Sequence, residues 1–498
     1  MRYLPLYLRK MTTPLQQLRK IRLDKLAKIR EHDINPYPAG CRRDQTITKA
    51  RQMMAKKVSI AGRIMAIRGH GGIHFFDLID ESGEIQLVFK IDDQSQHHLQ
   101  LLKLLDIGDF IDVQGEIFTT KAGEISVLVK SFHLLTKSIR PLPDKWYGLK
   151  DVEERYRERY IDLIVNSKIR DIFYLRSKVL TSIRKFLDDH GFLEVETPIL
   201  QPMYGGAAAR PFVTYHNALN CNLYLRISDE LYLKRLIVGG FEKVYEIGKD
   251  FRNEGLSRQH NPEFTMVEFY WAYANYEDLM TLTEELINLV LKKTLGKTKL
   301  KYEETVLDFS SPIRRLNFRD FLLQETGIDA DKVKTEDELL AAIRKRKIDI
   351  DLKGVFGCGE IFDKLYKERM RPKVIQPTFL LDYPASMITL AKRKEKSPDK
   401  IASFQLLVNG FELVKAYNEL NDPQDQKKRW LEAEKLVIRG AKEAERLDDA
   451  YIRALEYGMP PTAGWGMGLD RLLTLLTGVH TLKEVILFPT LRPQKEKK

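Results

Sequence analysis

FRNEGLSRQHNPEFTMVEFY, residues 251–270, reads as the end of one strand, a turn and a returning strand. Apolar positions alternate through both arms, yet Arg252, Glu254, His260 and Glu268 are kept among and between them. Charges held inside an apolar pattern need partners, because an unpaired buried charge costs several kcal/mol. An Arg at a strand end clamps a phosphate with its planar fork, and an aromatic such as Phe264 on the returning strand offers a face to a base. An internal cluster of ion pairs would use the same residues, so this stretch alone supports both readings.

Two further stretches carry related chemistry. GWGMGLDRLL, residues 464–473, sets three alternate glycines before a helix that begins near Asp470. Glycines let a backbone approach a ligand closely, and Arg471 in the first helical turn can point at phosphate; a strand-to-helix packing corner would look the same. In ELVKAYNELND, residues 412–422, acidic residues recur on an otherwise apolar strand. Such hard oxygen ligands suit Mg²⁺ held jointly with substrate phosphates, and an exposed strand face would also carry them.

Around these stretches, long amphipathic helices (169–190, 277–293, 424–447) alternate with β-rich runs such as NLYLRIS, VYEIGKDFR and SFQLLVN. This mixture predicts an α+β domain on a mainly antiparallel sheet. Upstream, residues 58–135 alternate short β-rich runs with turn signals at Gly69–Gly72, Ser82-Gly83 and Gly123. Five strands at this spacing predict a small OB-fold β-barrel, which binds single-stranded nucleic acid through aromatics and polar groups on a strand face. Phe75, Phe76 and Gln86 fall on such strands, and the two adjacent phenylalanines must point to opposite faces, so one belongs to the core. Residues 136–150, with Pro141 and Pro143, read as a linker. Before the barrel, residues 14–31 space Leu15, Leu18, Ile21, Leu26 and Ile29 at near-helical intervals among Arg19, Lys20, Arg22, Lys25, Lys28 and Arg30, a basic amphipathic helix. The expected organisation is an N-terminal extension with that helix (1–57), the barrel (58–135), the linker (136–150) and a large α+β domain (151–498). No Rossmann or P-loop glycine pattern is present, so nucleotide binding needs another device.

Composition bounds these readings. The 498 residues are 43% hydrophobic and 31% charged, with only 29 Gly and 20 Pro, and no apolar run nears the roughly 20 residues of a spanning helix. Collagen-like, disordered and ordinary membrane-spanning classes are thereby excluded. Lys plus Arg number 82 against 70 acidic residues, a formal charge of +12 that favours a polyanionic partner. Cys41, Cys221 and Cys358 are far apart and encode neither a zinc knuckle nor a disulfide framework, which fits a reducing cytoplasm. Met1–Lys10, MRYLPLYLRK, is basic and apolar but is interrupted by Pro5 and lacks a small-residue cleavage site. It is a poor signal peptide, and Met11 offers an alternative start.

Taken in order, these stretches resemble the three motifs of the class II aminoacyl-tRNA synthetases. The helix leading into GFLEVETPIL, with Pro198, is similar to motif 1, FRNEG with HNPEF to motif 2, and GWGMGLDRLLTLL to motif 3. YRERYIDLI, GGAAARPF, DELYLKRL, GGFEKVYEIG, NPEFTMVEFYWAY, ELND and VILFP carry the resemblance to the lysyl-tRNA synthetase family across nearly the whole chain. The resemblance implies a cytoplasmic homodimer that uses ATP and Mg²⁺ to convert lysine to lysyl-adenylate, releases pyrophosphate, and transfers the lysyl group to the terminal adenosine of tRNA(Lys). The barrel is the anticodon-binding domain in that family.

The resemblance also implies residue roles. Arg252 would hold the α-phosphate and the lysine carboxylate; Glu254 and His260 would contact the nucleotide; Phe264 would stack on adenine; Arg471 would cover the γ-phosphate. Glu412 would ligate Mg²⁺. Glu230 and Glu419, with Tyr270, would hold the ε-ammonium of lysine, and Glu268, with the Gly206 backbone, its α-amino group. Phe75 would stack on an anticodon base and Gln86 would bond a base edge, with Lys25 and Lys28 touching the tRNA backbone.

Two positions depart from the pattern. Gln405 stands where the family has a Glu as second metal ligand, a weaker and uncharged donor, so the number of Mg²⁺ ions does not carry over. Lys415 stands where an Asn touches the lysine carboxylate. Three rivals share parts of the plan. An aspartyl- or asparaginyl-tRNA synthetase needs a cationic amino-acid pocket, a protein-lysylating paralogue lacks the barrel, and a regulatory protein with a dead site would have lost Arg252 or Arg471. The basic stretch 391–400, AKRKEKSPDK, reads as solvated surface, with tRNA contact as the alternative.

Overall fold

Alternating apolar positions close the N-terminal strands on themselves. In the computed structural model, which describes residues 14–143, 151–440 and 446–494, β1 (Lys57–His70), β2 (Ile73–Ile79), β3 (Glu84–Lys90), β4 (Phe110–Thr119) and β5 (Ile125–Thr136) form a closed barrel in the order β1-β2-β3-β5-β4. Ile60, Phe76, Leu87, Phe89, Val113, Val127 and Phe132 fill its interior. The chain divides into two compact units, residues 1–149 and 150–498. Met1–Lys10 and positions 144–150 of the expected linker lie outside the described residues.

Helix α1 (Pro14–Glu31) forms where its periodicity predicts, but it buries a different face. Leu15, Leu18 and Ile21 are exposed, whereas Arg22, Leu26 and Ile29 are buried. Arg22 outcompetes leucine for the inside because its guanidinium donates to the carbonyls of Ile107 (2.9 Å), Ser138 (3.1 Å) and Arg140 (3.1 Å), which satisfies a buried charge. Lys25 is drawn into an ion pair with Asp106 at 2.7 Å, so of the two lysines assigned to tRNA only Lys28 stays exposed.

The second unit is built on an eight-stranded sheet. Its strands are β6 (Leu193–Glu194), β7 (Lys243–Phe251), β8 (Glu263–Ala272), β9 (Arg314–Asn317), β10 (Thr378–Leu381), β11 (Ser403–Val408), β12 (Phe411–Asn418) and β13 (Thr462–Gly468), in the order β9-β10-β11-β12-β13-β8-β7-β6. Only the two edge pairs are parallel; the six central strands run antiparallel. This is the α+β plan that the sequence predicts. The helices α2 (Ser167–Asp189), α3 (Glu230–Val238), α4 (Tyr276–Leu295) and α5 (Leu469–Thr477) flank the sheet. Local chemistry fixes their ends. Asn275 accepts the Glu277 N–H at 2.7 Å, Asp278 returns a bond to the Asn275 N–H at 2.9 Å, and Gly296 at φ 71° stops α4.

Expected elements shift by a few residues. The helix anticipated at 424–447 is Pro423–Ile438, with 441–445 outside the described residues. The basic stretch 391–400 forms a hairpin whose Arg393, Glu395 and Lys396 are exposed as the solvated-surface reading expects, while Lys394 pairs with Asp382 at 2.8 Å, Lys400 with Asp331 at 3.1 Å, and Lys392 donates to Asn421 at 2.7 Å. No helix among the described residues is long and apolar enough to cross a membrane.

Candidate active site

Side chains alternate along a strand, and one face of the central sheet collects the charged ones. Strand β7 contributes Glu246, Gly248 and Asp250, with Arg252 just past its end; β8 contributes Phe264, Met266, Glu268 and Tyr270. Strand β13 contributes Gly464, Gly466 and Gly468; β12 contributes Lys415 and Tyr417, with Glu419 beyond its end. The register sets Glu246, Glu268, Gly466, Lys415 and Gln405 in one row across five strands, and Tyr270, Gly464 and Tyr417 in the next. The opposite face holds Val267, Phe269, Trp465, Met467, Val414 and Ala416, all core. Trp465 stacks on Phe269 at 4.6 Å, and its Nε1–H donates to Thr283. The glycines thus form a trough floor with core side chains beneath, and their missing side chains leave room above for Glu419, Tyr270 and Glu268.

A cavity of about 1210 Å³ opens over this floor. It brings together Gly206, Glu230, Arg252, Glu254, His260, Phe264, Glu268, Tyr270, Gln405, Glu412, Lys415, Glu419 and Arg471, every residue named for the catalytic unit.

One end of the cavity is a carboxylate pocket. Glu230 and Glu419 are buried, and Lys234, one turn along α3, places its Nζ 2.5 Å from Glu230 Oε1 and also pairs with Glu419. The Tyr417 hydroxyl donates to Glu230 Oε1 at 2.7 Å. Burial works to lower the Lys234 pKa, but Glu230 and Glu419 outweigh it and hold the ammonium well above its ordinary value. Counted as two carboxylates and one ammonium, the pocket holds one negative charge beyond what Lys234 balances; burial pushes the Glu419 carboxyl up in spite of Lys234, so a second cation is what would keep it ionised. Glu419 Oε1 has no hydrogen-bond partner among the described residues. Sequence reading found both glutamates and overlooked Lys234, although its spacing of four from Glu230 on a helix was the signal.

Space beside Glu419 depends on Gly464, where a Cβ would collide with the Glu419 carboxylate and the Tyr270 ring. Gly464→Ala is expected to lower kcat/KM for the amino acid by about 10–200-fold with the ATP KM unchanged, the range for overfilling a pocket by one methyl. Steady-state pyrophosphate exchange with each substrate varied checks it.

Next to this pocket, Glu268 is buried and accepts from the Tyr270 hydroxyl at 3.3 Å. Burial and the neighbouring Asp250 push its carboxyl up to about 8. Gly206, at φ 83°, lies where a Cβ would stand 3.0 Å from Ser228 Oγ and 3.2 Å from Glu230 Cβ.

The far end is cationic. Arg252 lies over the Phe264 ring at 5.1 Å, and Arg471 donates to the Glu412 carbonyl at 2.8 Å. Arg371 and Lys367, which sequence reading did not single out, line the same wall. Their charge explains two shifts. His260 is lowered to about 4 by burial and by Arg471, Arg371, Arg252 and Lys367, so it is neutral at pH 7. Burial alone would raise Glu412, but Arg471, Lys415 and Arg371 outweigh it and keep it an anion. Asp470 holds the start of α5 against β8: it accepts the Thr265 N–H at 2.9 Å and pairs with Arg176 at 2.6 Å. Gln405 spends its Oε1 on the Tyr366 hydroxyl.

A carboxylate pocket at one end and a cationic wall at the other fit an amino acid with a basic side chain laid beside a nucleoside triphosphate. Comparison with known proteins gives the same answer. Residues 151–492 match the family model "tRNA synthetases class II (D, K and N)", and residues 58–135 match "OB-fold nucleic acid binding domain". The lysine–tRNA ligase of Carboxydothermus hydrogenoformans is 48% identical over 484 residues, covering 96% of this chain and 99% of that protein. That of Pelotomaculum thermopropionicum is 48% identical over 485 residues, covering 97% and 96%. That of Aquifex aeolicus is 49% identical over 446 residues, covering 89% and 74%. The chain belongs to the lysine–tRNA ligase family.

Among the three synthetase types that the family model spans, only a lysine–tRNA ligase needs a pocket with surplus negative charge, which Glu230, Lys234 and Glu419 provide. The residues expected to read tRNA lie in the other unit. Phe75 and Gln86 share the outer face of the barrel: Gln86 is in register with Asp77, two residues along from Phe75. Arg68 pairs with Asp77 on the same face, and Gln86 Oε1 accepts from Ser126 at 3.1 Å. Phe76 is the core member of the pair.

Proposed function

We propose that this chain activates lysine with ATP and charges tRNA(Lys), with the following division of labour. The carrying observation is the buried Glu230–Lys234–Glu419 pocket, two carboxyls against one ammonium, in which Glu419 Oε1 has no hydrogen-bond partner among the described residues. The ε-ammonium of lysine enters there, while Glu268 and the Gly206 backbone take the α-amino group. The lysine carboxylate then faces Arg252, between the trough floor and the cationic wall. Its oxygen attacks the α-phosphorus, the new O–P bond forms in line with the breaking bond, and pyrophosphate leaves with the bonding electrons. Arg252 and Arg471 balance the charge that spreads over the phosphates, and positioning supplies most of the acceleration. The neutral His260 and Glu254 contact the nucleotide. Adenine stacks on Phe264, whose ring also carries the Arg252 guanidinium.

The donor set fits one protein-anchored Mg²⁺. Glu412 is ionised and faces the cavity, whereas the Gln405 oxygen is engaged by Tyr366 and carries no charge. Bound there, the ion would neutralise and orient the triphosphate, with Glu412 as its protein ligand. Lysine-dependent exchange of pyrophosphate into ATP tests the assignment. Exchange with lysine and not with aspartate, asparagine or arginine is expected; exchange with none of the four would overturn it.

For tRNA, Phe75 offers a stacking face on the barrel and Gln86 a hydrogen-bonding group beside it. Phe75→Ala is expected to weaken tRNA(Lys) binding by about 1–3 kcal/mol, the range for losing one base–aromatic stack, and to leave pyrophosphate exchange unchanged. Filter binding beside the exchange assay checks this. A homodimer is supported by the motif 1 region, where Leu193, Ile199, Leu200, Met203, Val213 and Tyr215 are all exposed. Light scattering at the mass of two chains is the expected result. The cytoplasm is the compartment in which such a ligase meets its tRNA and in which Cys41, Cys221 and Cys358 stay as the free thiols seen here.

A further inference from the structure

Behind Glu268 lie two more carboxylates that the reaction described above does not use. Asp229 and Asp250 are fully buried, and one oxygen from each of Asp229, Asp250 and Glu268 lies within 4.8 Å of the others. Neither oxygen of Asp229 has a hydrogen-bond partner among the described residues. The surrounding charges do not balance the trio. Arg226 places its Nε 3.2 Å from Asp250 but spends its NH1 on Glu246 at 2.6 Å, and Glu246 stands directly opposite Glu268 in the sheet. Glu230 on α3 is already paired with Lys234, Arg252 past the end of β7 works against the rise of Asp250 and Glu268 without cancelling it, Tyr270 donates its hydroxyl to Glu268, and β13 brings only glycine, Gly466, against Glu268. Gly248 is what admits Arg226 at all, since a Cβ there would collide with its guanidinium.

Three carboxylates this close in a buried site cannot all ionise. Burial and Asp229 push Asp250 up to about 8 as well, but it is the member of the trio in ion-pair contact with Arg226, at 3.2 Å, so it is the one placed as the anion and the shared proton belongs between Asp229 and Glu268. We propose that Asp229 and Glu268 share one proton in the empty enzyme and that the α-ammonium of lysine displaces it to solvent, making Asp229 a positioning residue for the amino acid. The exchange conserves charge: one proton leaves as one ammonium enters, and the pair goes from a single negative charge to two carboxylates facing one cation. The inference rests on Glu268 as the α-amino site. A partner of charge +1 suits the place better than a divalent ion, because Arg226 already occupies one side. Burial raises both Asp229 and Glu268, the latter to about 8, so the proton is held through the neutral range.

Calorimetry of lysine binding to the full chain at pH 7.5, in buffers of different ionisation enthalpy, counts the protons released. About one proton per lysine is expected for the native protein, fading as the pH is raised past about 8. In Asp229→Asn the count is expected to fall while lysine still binds, because the three carboxylates that cannot all ionise are reduced to two, although burial and Asp250 still hold Glu268 upward. A native count of zero, or an unchanged count in Asp229→Asn, would overturn the proposal. Asp250→Asn gives a second arm: removing its repulsion lets the other two hold fewer protons, so the count falls there too, and an unchanged count counts against the shared cluster. Absence of any lysine binding by the native protein would instead overturn the amino-acid pocket itself.

Discussion

Glu419→Gln lowers kcat/KM for lysine by about 10²–10⁴-fold, the largest loss expected from any isosteric change in the cavity. The charge count gives the reason. With Glu419 neutral, Lys234 and Glu230 cancel, and the pocket offers no net charge to an entering ammonium. Lys234 then repels the substrate at close range in a buried pocket, where such an interaction is poorly screened. The amide also puts a donor where Glu419 Oε1 has no hydrogen-bond partner among the described residues. The ATP KM should hold, because Glu419 sits at the opposite end of the cavity from the cationic wall. Pyrophosphate exchange with lysine varied at saturating ATP measures the effect. A loss smaller than about tenfold would mean that Glu419 does not face the ε-ammonium.

What could be read from sequence and what could not divide along physical lines. Strand alternation and the three glycines at 464, 466 and 468 made the trough legible, because a ligand-binding face needs small residues at period two in any register. The cavity likewise gathers every catalytic residue named from sequence. Pair partners were harder. Lys234 sits in DELYLKRL, where a surface helix would place a solvated lysine, and only the fold brings Glu419 from nearly two hundred residues away to its Nζ. Asp229 and Asp250 carry no signal of their own in the sequence pattern, and their approach to Glu268 is set by the packing of α3 against β7 and β8. Helix α1 misled for a related reason. Periodicity ranks Leu15 and Leu18 above Arg22 for burial, but three backbone carbonyls on other segments reverse that order. Long-range polar partners are invisible to a one-dimensional pattern.

Lys234→Met should cost the catalytic unit about 3–5 kcal/mol of stability at pH 8, the price of leaving a buried charge without its partner. Methionine keeps the length and apolar stem of the side chain and removes only the ammonium, so the loss is electrostatic rather than a cavity effect. Glu230 retains the Tyr417 hydroxyl, but Glu419 loses its ion pair. Burial pushes the Glu419 carboxyl upward, and Lys234 is the first group that works against that push. Without Lys234 the folded-state pKa rises further above the unfolded value of about 4.5. A carboxyl raised in this way binds a proton in the folded chain but not in the unfolded one, so stability increases as pH falls through that window. The deficit relative to the native protein should therefore shrink between pH 8 and pH 5.5 in urea unfolding followed by tryptophan fluorescence. Saturating lysine should narrow it as well, since its ε-ammonium supplies the missing charge and binds only the folded state. A deficit that is the same at both pH values and indifferent to lysine would place Lys234 in a purely structural role and remove the charge count on which the lysine pocket rests.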